Sequence, residues 1–285
     1  MTADTSAPDR PQSHHAFYDD ARAYDVAFGY RDVAFELDFI VDAASRCLGH
    51  RPTSAIELAS GPGAHATALA QRGVKTLALD LSAPMIQRVH DNAKRLGVDV
   101  TGIVGDMADF VLPQRVELAF NLLTSISYLL TTEQLHGHFR SVSDALVDGG
   151  CYVVENNHPN DFWTREHFKP SRWTEKQVLD DDGDGPVELE VSTSWVDDEP
   201  VIDVVKQTYT VKATTKVTER RRGEAHTREL VDHATLRMIW PQELKALGEA
   251  WGLDVVGFYG ALDAALAIDA PGAWRTVVVF KKRPR

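Results

Sequence analysis

Cysteine is nearly absent from this chain. Cys47 and Cys151 are too few for a disulfide framework, and the cysteines and histidines show no CxxC or HExxH spacing. No metal site is therefore expected, and the compartment reads as reducing. Positive charge is also short: 30 Lys and Arg stand against 42 Asp and Glu, a formal charge of -12. That balance argues against a nucleic-acid partner, because phosphate backbones need a basic face. The basic stretch Lys281 to Arg285 reads as a solvated end. No run reaches the ~18 apolar residues of a membrane helix, and the opening MTADTSAPDRPQSHH has no apolar signal core. A cytoplasmic protein with no membrane partner is expected. Residues 1–15 offer little to bury and read as disordered. The stretches DDDGDG and DDEP lack the spaced terminal Glu of a calcium loop and read as solvated turns.

The rest is rich in apolar periodicity. From Phe17 to Leu48 the pattern is helical, with Val33, Leu37, Ile40, Val41, Ala44 and Leu48 on one face and Gly29 dividing two helices. Strands then alternate with helices. Strands fit Ala55 to Ala59, Val74 to Asp80, Val100 to Val104 and Val116 to Asn121. A helix over Ala64 to Arg72 follows the first of them, and one opened by Ser82 with Pro84 in its first turn follows the second. A helix from Thr132 to Val147 is expected to stop at Gly149-Gly150, with a fifth strand over Cys151 to Glu155.

After Asn157 the pattern changes to β segments at Trp173 to Val178, Val187 to Val196, Val201 to Thr215 and Glu229 to Ile239, which should pair antiparallel. A helix from Pro241 with Leu244, Leu247, Ala250 and Trp251 inward precedes strands Leu253 to Tyr259 and Arg275 to Lys281. The division is a helical cap over 16–50, an α/β unit made of 51–157 and 240–285, and a β-rich insertion over 158–239.

The stretch AIELASGPGAHATALAQRG contains a G-x-G-x-x-A from Gly61 to Ala66, a pattern shared with dinucleotide sites. In open α/β sheets a ligand sits beyond the carboxyl ends of the strands. There this chain carries Glu57, then Asp80 nineteen residues after Gly61, then Asp106. Asp80 suits ribose hydroxyls of either nucleotide. Glu57 would crowd a pyrophosphate, whereas a ligand carrying a sulfonium and an ammonium is favoured by acidic walls, and Asp106 can accept from an adenine amine. The loop reads better as a site for S-adenosylmethionine (SAM) than for NAD.

The motifs ELASGPGA at Glu57 to Ala64, LDLS at Leu79 to Ser82, GDM at Gly105 to Met107, and Asn121 followed by Gly149-Gly150 resemble those of class I SAM-dependent methyltransferases. The resemblance implies an α/β, Rossmann-like, seven-stranded, mostly parallel sheet with a C-terminal antiparallel strand and an antiparallel β insertion after strand five. It places Glu57, Ala59, Gly61 and Gly63 toward the methionine end, Asp80 and Leu81 at the ribose, Asp106 and Met107 at the adenine, and Asn121 beside them. The Tyr-rich entry YDVAFGYRD and the insertion are similar to small-molecule N-methyltransferases of the glycine and amino-sugar N,N-dimethyl types. By that likeness Tyr24 and Arg31 meet the methionine carboxylate.

The acceptor side is open to more than one reading. ENNHPNDFW leaves the fifth strand at the ligand edge, where Asn156, Asn157 and His158 either cap the turn or line the acceptor site. If they do chemistry, His158 is the general base, since its ordinary pKa lies near neutrality. Ser125 and Tyr128 in TSISY, with Tyr30, form the other expected wall, Tyr128 beside the reacting centre. Cys151 is expected in the core, and His136 and His138 facing solvent. The function expected is methylation of a small molecule at an amine nitrogen. The alternatives are a SAM-dependent cyclase or lyase, a non-enzymatic SAM-binding regulator and an NAD-dependent oxidoreductase. The insertion serves as substrate lid or as a homo-oligomer contact.

Overall fold

A computed structural model describes residues 16–164, 168–179 and 185–284. The disordered N-terminus and most of the DDDGDG turn expected from the sequence lie outside the described residues. Three helices open the chain: α1 (Ala16–Asp19), α2 (Ala21–Ala27) and α3 (Val33–Leu48). Asp32 starts α3 by accepting from the Phe35 amide at 3.0 Å. The alternation that follows is β1 (Ser54–Leu58), α4 (Ala64–Gln71), β2 (Lys75–Asp80), α5 (Ala83–Leu96), β3 (Val100–Val104), β4 (Val116–Asn121), α6 (Thr132–Ala145) and β5 (Leu146–Asn157). Ser82 caps α5, and a reciprocal Thr131–Gln134 pair starts α6.

Beyond α7 (Pro159–Thr164) come β6 (Ser171–Leu179), β7 (Val187–Trp195), β8 (Val201–Asp203), β9 (Thr208–Arg221) and β10 (Glu224–Arg237), then α8 (Pro241–Ala250), β11 (Leu253–Tyr259) and β12 (Arg275–Lys282). One sheet has seven strands in the order β11-β12-β5-β4-β1-β2-β3, and β12 runs antiparallel to both neighbours while β1 to β5 pair in parallel. The other has order β10-β9-β7-β6 with β8 added on β9, all antiparallel.

The first sheet is buried on both faces. Tyr152 and Val154 pack with Phe139 of α6 and Leu244 of α8, while Cys151 and Val153 pack with Ile40 and Ala44 of α3. Cys151 is fully buried. Helices α1 and α2 bridge the second sheet to α5. The Asp232 carboxylate of β10 accepts from the Ala16 and Phe17 amides at 2.7 and 3.2 Å, and Trp173 of β6 donates to the Ala27 carbonyl at 2.9 Å. On the other side Ser82 donates to the Tyr18 carbonyl at 3.2 Å, and Arg88 of α5 pairs with Asp25 at 3.0 Å. Among the described residues no helix is long and apolar enough to cross a membrane.

Several expectations need correction. Helix α6 stops at Ala145 rather than at Gly149-Gly150, because Leu146 pairs with Val116 and already belongs to β5. Lys282, 2% exposed, reaches from β12 to donate to the Ser143 and Leu146 carbonyls at 2.5 and 2.7 Å, which caps the helix by a cation instead of a glycine. Strand β5 runs on to Asn157, and the segment 201–215 splits into β8 and β9 at a turn held by Asp203. Ala250 is exposed at the end of α8. His138 is buried rather than solvent-facing, and half-buried His136 accepts from Trp251 at 3.0 Å.

Candidate active site

The first strand-to-helix crossing brings the chain over the carboxyl edge of the sheet with little side-chain bulk. Gly61 and Gly63 sit at φ +52° and +77°, and a Cβ on Gly63 would lie 2.8 Å from Val89 Cγ2, so the close approach of loop and α5 excludes a side chain. Ala59, at φ +52°, holds the same left-handed geometry with a methyl group. The N-cap residue of α4, Gly63, has no side chain to cap with, and Glu57 serves instead, accepting from the Ala66 amide at 2.9 Å. The tip is tied to the second strand by Asp80, whose two oxygens accept from the Gly61 and Ser82 amides at 2.7 and 2.9 Å. Burial lifts the Asp80 carboxyl above its ordinary value, against the pull of those amides.

A cavity of about 1360 Å³ borders this loop. Of the residues singled out in the sequence, Tyr24, Arg31, Glu57, Ala59, Gly61 and Ser125 line it. The Tyr24 ring lies over the loop, its Cε1 3.3 Å from where a Gly61 Cβ would be. Ser125 is turned back onto the Leu122 carbonyl at 2.8 Å. Gly63, Asp80 and Leu81 follow directly around the loop and strand end, and Leu81 is 73% exposed. Gly105 donates to the Asp80 carbonyl at 2.9 Å, which sets the third strand's end beside the second. Asp106 there accepts from Ala108 at 2.8 Å, while Asn121 reaches the Leu58 carbonyl at 2.8 Å and the Met107 sulfur at 3.7 Å. The Asn121 Oδ1 is buried without a partner among the described residues.

The acceptor-side residues are less uniform. Tyr128 meets Tyr18 hydroxyl to hydroxyl at 2.8 Å, and burial carries its phenol up to about 12. Tyr30 is 57% exposed. Asn156 is spent on Ser127 and the Ile239 carbonyl, at 2.9 and 3.1 Å. Asn157 donates to Tyr209 of β9 at 3.2 Å and accepts from Thr124 at 3.3 Å. His158 donates from Nε2 to the Ile268 carbonyl at 2.9 Å, and its Nδ1 accepts from the Asn160 amide at 3.2 Å. With both ring nitrogens engaged by backbone, this arrangement leaves His158 no lone pair for a substrate proton. It anchors the turn.

A line of buried charge escaped the sequence reading. Glu57 Oε1 lies 3.5 Å from His65 Nδ1, and His65 Nε2 is 2.5 Å from Glu36. Arg31 bonds Glu36 at 2.9 Å and Glu155 at 3.4 Å, and Arg275 bonds Glu155 at 3.0 Å. Burial by itself would push His65 down, but the Glu36 and Glu57 carboxylates raise it to about 9. Glu36 would likewise be raised by burial, yet His65 and Arg31 beside it hold it below its ordinary value. The Arg31 Nη1 is buried with no hydrogen-bond partner among the described residues. A glutamate ending the apolar run CYVVE was the one visible signal of this line, since a charge at the close of a two-faced core strand needs a partner. His138 also went unrecognised: its Nδ1 donates to the Met107 carbonyl at 2.8 Å and its Nε2 accepts from the Tyr152 hydroxyl at 2.7 Å. Burial lowers it to about 4, so it stays neutral and fixes the loop that carries Asp106.

Residues 55–150 match the family model of a methyltransferase domain. A dTDP-3-amino-3,4,6-trideoxy-alpha-D-glucopyranose N,N-dimethyltransferase of Streptomyces venezuelae is 32% identical over 167 residues, 58% of this chain. The matched part spans 66% of that relative's length. A SAM-dependent methyltransferase from Clostridium acetobutylicum superposes with a TM-score of 0.73 at 17% identity, over 94% of this chain and all of the other (100%). Streptomyces venezuelae DesVI superposes with 0.66 at 23% identity, over 93% and 98%. The fold is that of class I methyltransferases.

Proposed function

From the premise that residues 55–150 form a methyltransferase domain, we propose that this chain transfers a methyl group from SAM to an amine nitrogen of a small molecule, an amino sugar by analogy with the curated relative. The observation that carries the reading is that the wall of this cavity includes both the acid Glu57 and Arg31, whose Nη1 has no partner among the described residues. An α-amino acid end carries one ammonium and one carboxylate, and this wall supplies a group for each. A pyrophosphate would meet the buried Glu57 carboxylate instead.

The residues fit the cofactor along its length. Arg31 and Tyr24 would hold the carboxylate, Glu57 the ammonium and Asp80 the ribose. Leu81 would lie against the nucleoside and Asp106, Met107 and Asn121 around the adenine. Bound there, the cofactor supplies an electrophilic methyl on a sulfonium. The protein's part is alignment, because in-line displacement asks the acceptor lone pair to face the methyl carbon from the side opposite sulfur. Tyr18 and Tyr128 stay protonated and serve as hydrogen-bonding walls rather than bases. With His158 occupied, the acceptor amine has to arrive neutral or lose its proton to solvent. The second sheet, through Asn157 and Tyr209, walls the acceptor side.

Titration calorimetry with S-adenosylhomocysteine and NAD tests the cofactor. Binding of the first and not the second is expected, and the reverse sinks the reading. Incubation with SAM and amino-sugar nucleotides should give methylated amine and S-adenosylhomocysteine. Methylthioadenosine as the nucleoside product would mean cyclase or lyase chemistry instead.

A further inference from the structure

His65 has no part in the methyl-transfer step, yet it sits where the glycine loop meets the charge line. It is 5% exposed, on the first turn of α4, with Glu57 of β1 on one ring nitrogen and Glu36 of α3 on the other. The charged groups packed around it are Glu57, Glu36 and, beyond Glu36, Arg31. Arg31 in turn faces Glu36, Glu155 and Tyr30. Glu36 takes the Arg31 Nε with both oxygens, at 2.9 and 3.1 Å, and Nη2 at 2.9 Å. That grip fixes the plane of the guanidinium and leaves Nη1 as the donor with no partner among the described residues.

We infer that His65 is a positioning residue for ligand recognition: bridging Glu57 and Glu36, it holds Glu36 against Arg31 so that the spare guanidinium nitrogen is kept for the carboxylate of the cofactor's amino-acid end. This rests on the cofactor reading above and adds a residue to it. A protonated His65 donates to Glu36 and turns its second N–H toward the Glu57 carboxylate 3.5 Å away. A neutral one can donate to only one, and the two carboxylates then keep only their separate donors, the Ala66 amide for Glu57 and Arg31 for Glu36, so the link that holds Glu36 in place against Arg31 is lost. Raised to about 9, His65 is charged at neutral pH, so the grip is set there and weakens in alkali.

The test uses two ligands with the same nucleoside and sulfur. S-adenosylhomocysteine carries the amino-acid end, and methylthioadenosine lacks it. Calorimetry on the full chain should show His65→Ala weakening S-adenosylhomocysteine by about tenfold with methylthioadenosine unchanged, and His65→Gln, which keeps one donor, losing less. The wild-type preference for S-adenosylhomocysteine should fall between pH 8 and 10 more steeply than that of His65→Ala. The ligand's own ammonium titrates against both proteins and cancels in the comparison. Should His65→Ala not fold, Glu36→Gln reads the same difference between the ligands. Equal losses on both ligands would mean a merely structural histidine and overturn the inference, as would an unaltered affinity for S-adenosylhomocysteine. A wild type that binds neither ligand overturns the cofactor reading and this role together. A wild type that binds S-adenosylhomocysteine, with variants that bind it as well, overturns this role alone.

Discussion

Replacing Glu155 by glutamine changes no volume and one charge, which makes it a clean test of the buried charge line. Glu155 is 2% exposed and accepts from the Leu123 amide at 2.9 Å, Arg275 Nε at 3.0 Å and Arg31 Nη2 at 3.4 Å. An amide can still accept with its oxygen, but its NH2 group would then point at a guanidinium, donor against donor. Arg31, its side chain 7% exposed, and the half-buried Arg275 lose their shared counter-charge. Removing one partner of a buried pair costs about 3–5 kcal/mol, and at ~2–4 °C per kcal/mol for chains of this order the melting temperature should drop on the order of 10 °C. The comparison is Asp38→Asn, which breaks the Arg72 pair of 2.6 Å with Asp38 74% exposed and should cost less than about 1 kcal/mol. Urea unfolding of both variants at neutral pH measures the difference. If Glu155→Gln unfolds at the same midpoint as Asp38→Asn, the line is a surface-like network and its energetic role is wrong.

Other substitutions probe the loop and its flanks. Gly63→Ala meets Val89 at 2.8 Å in a left-handed backbone, and should cost about 2–4 kcal/mol from strain and overpacking together, read by denaturant titration. A wild-type midpoint would show that α5 can yield. Asp80→Ala should weaken S-adenosylhomocysteine and methylthioadenosine equally, by about 1.5–3 kcal/mol, because both carry the ribose. A loss confined to one of them would move Asp80 off the sugar. The stabilisation from His65, whose folded value is raised to about 9 from 6.5, is complete below pH ~6.5 and disappears as pH rises through about 9, a change of ~3 kcal/mol. The stability gap between wild type and His65→Gln should shrink accordingly from pH 6 to pH 10, and a constant gap would argue that His65 is neutral throughout.

Much of the central sheet was legible because parallel strands covered on both faces must be continuous apolar runs. The readings of Val100–Val104 and Val116–Asn121 coincide with β3 and β4. The acids at strand ends followed from the same grammar. What the sequence hid was decided by distant partners. Leu146 and Val147 suit a helix as well as a strand, and only pairing with Val116 chose between them. The two-residue spacing of His136 and His138 says nothing about which ring meets Tyr152. Turn cap and base both stayed open for His158 because the carbonyl bonded to its Nε2 belongs to Ile268, 110 positions further along the chain. The charge line is assembled from β1, α3, α4, β5, β12 and the turn before α3, so no local window contains more than a fragment of it.

The order of strands in the large sheet also sets an order in time. Strand β12 lies inside the sheet between β5 and β11, yet the contact joining Arg275 to Glu155 spans 120 residues. A ribosome therefore finishes β5 and then makes the whole second sheet before β5 receives its antiparallel neighbour. Throughout that interval the flank of Cys151 to Val154, every residue of it buried in the finished protein, is an open apolar edge of the kind that recruits other chains. The nascent protein is thus most prone to aggregation while its second sheet is being synthesised, and a chain halted before Arg275 keeps that edge exposed.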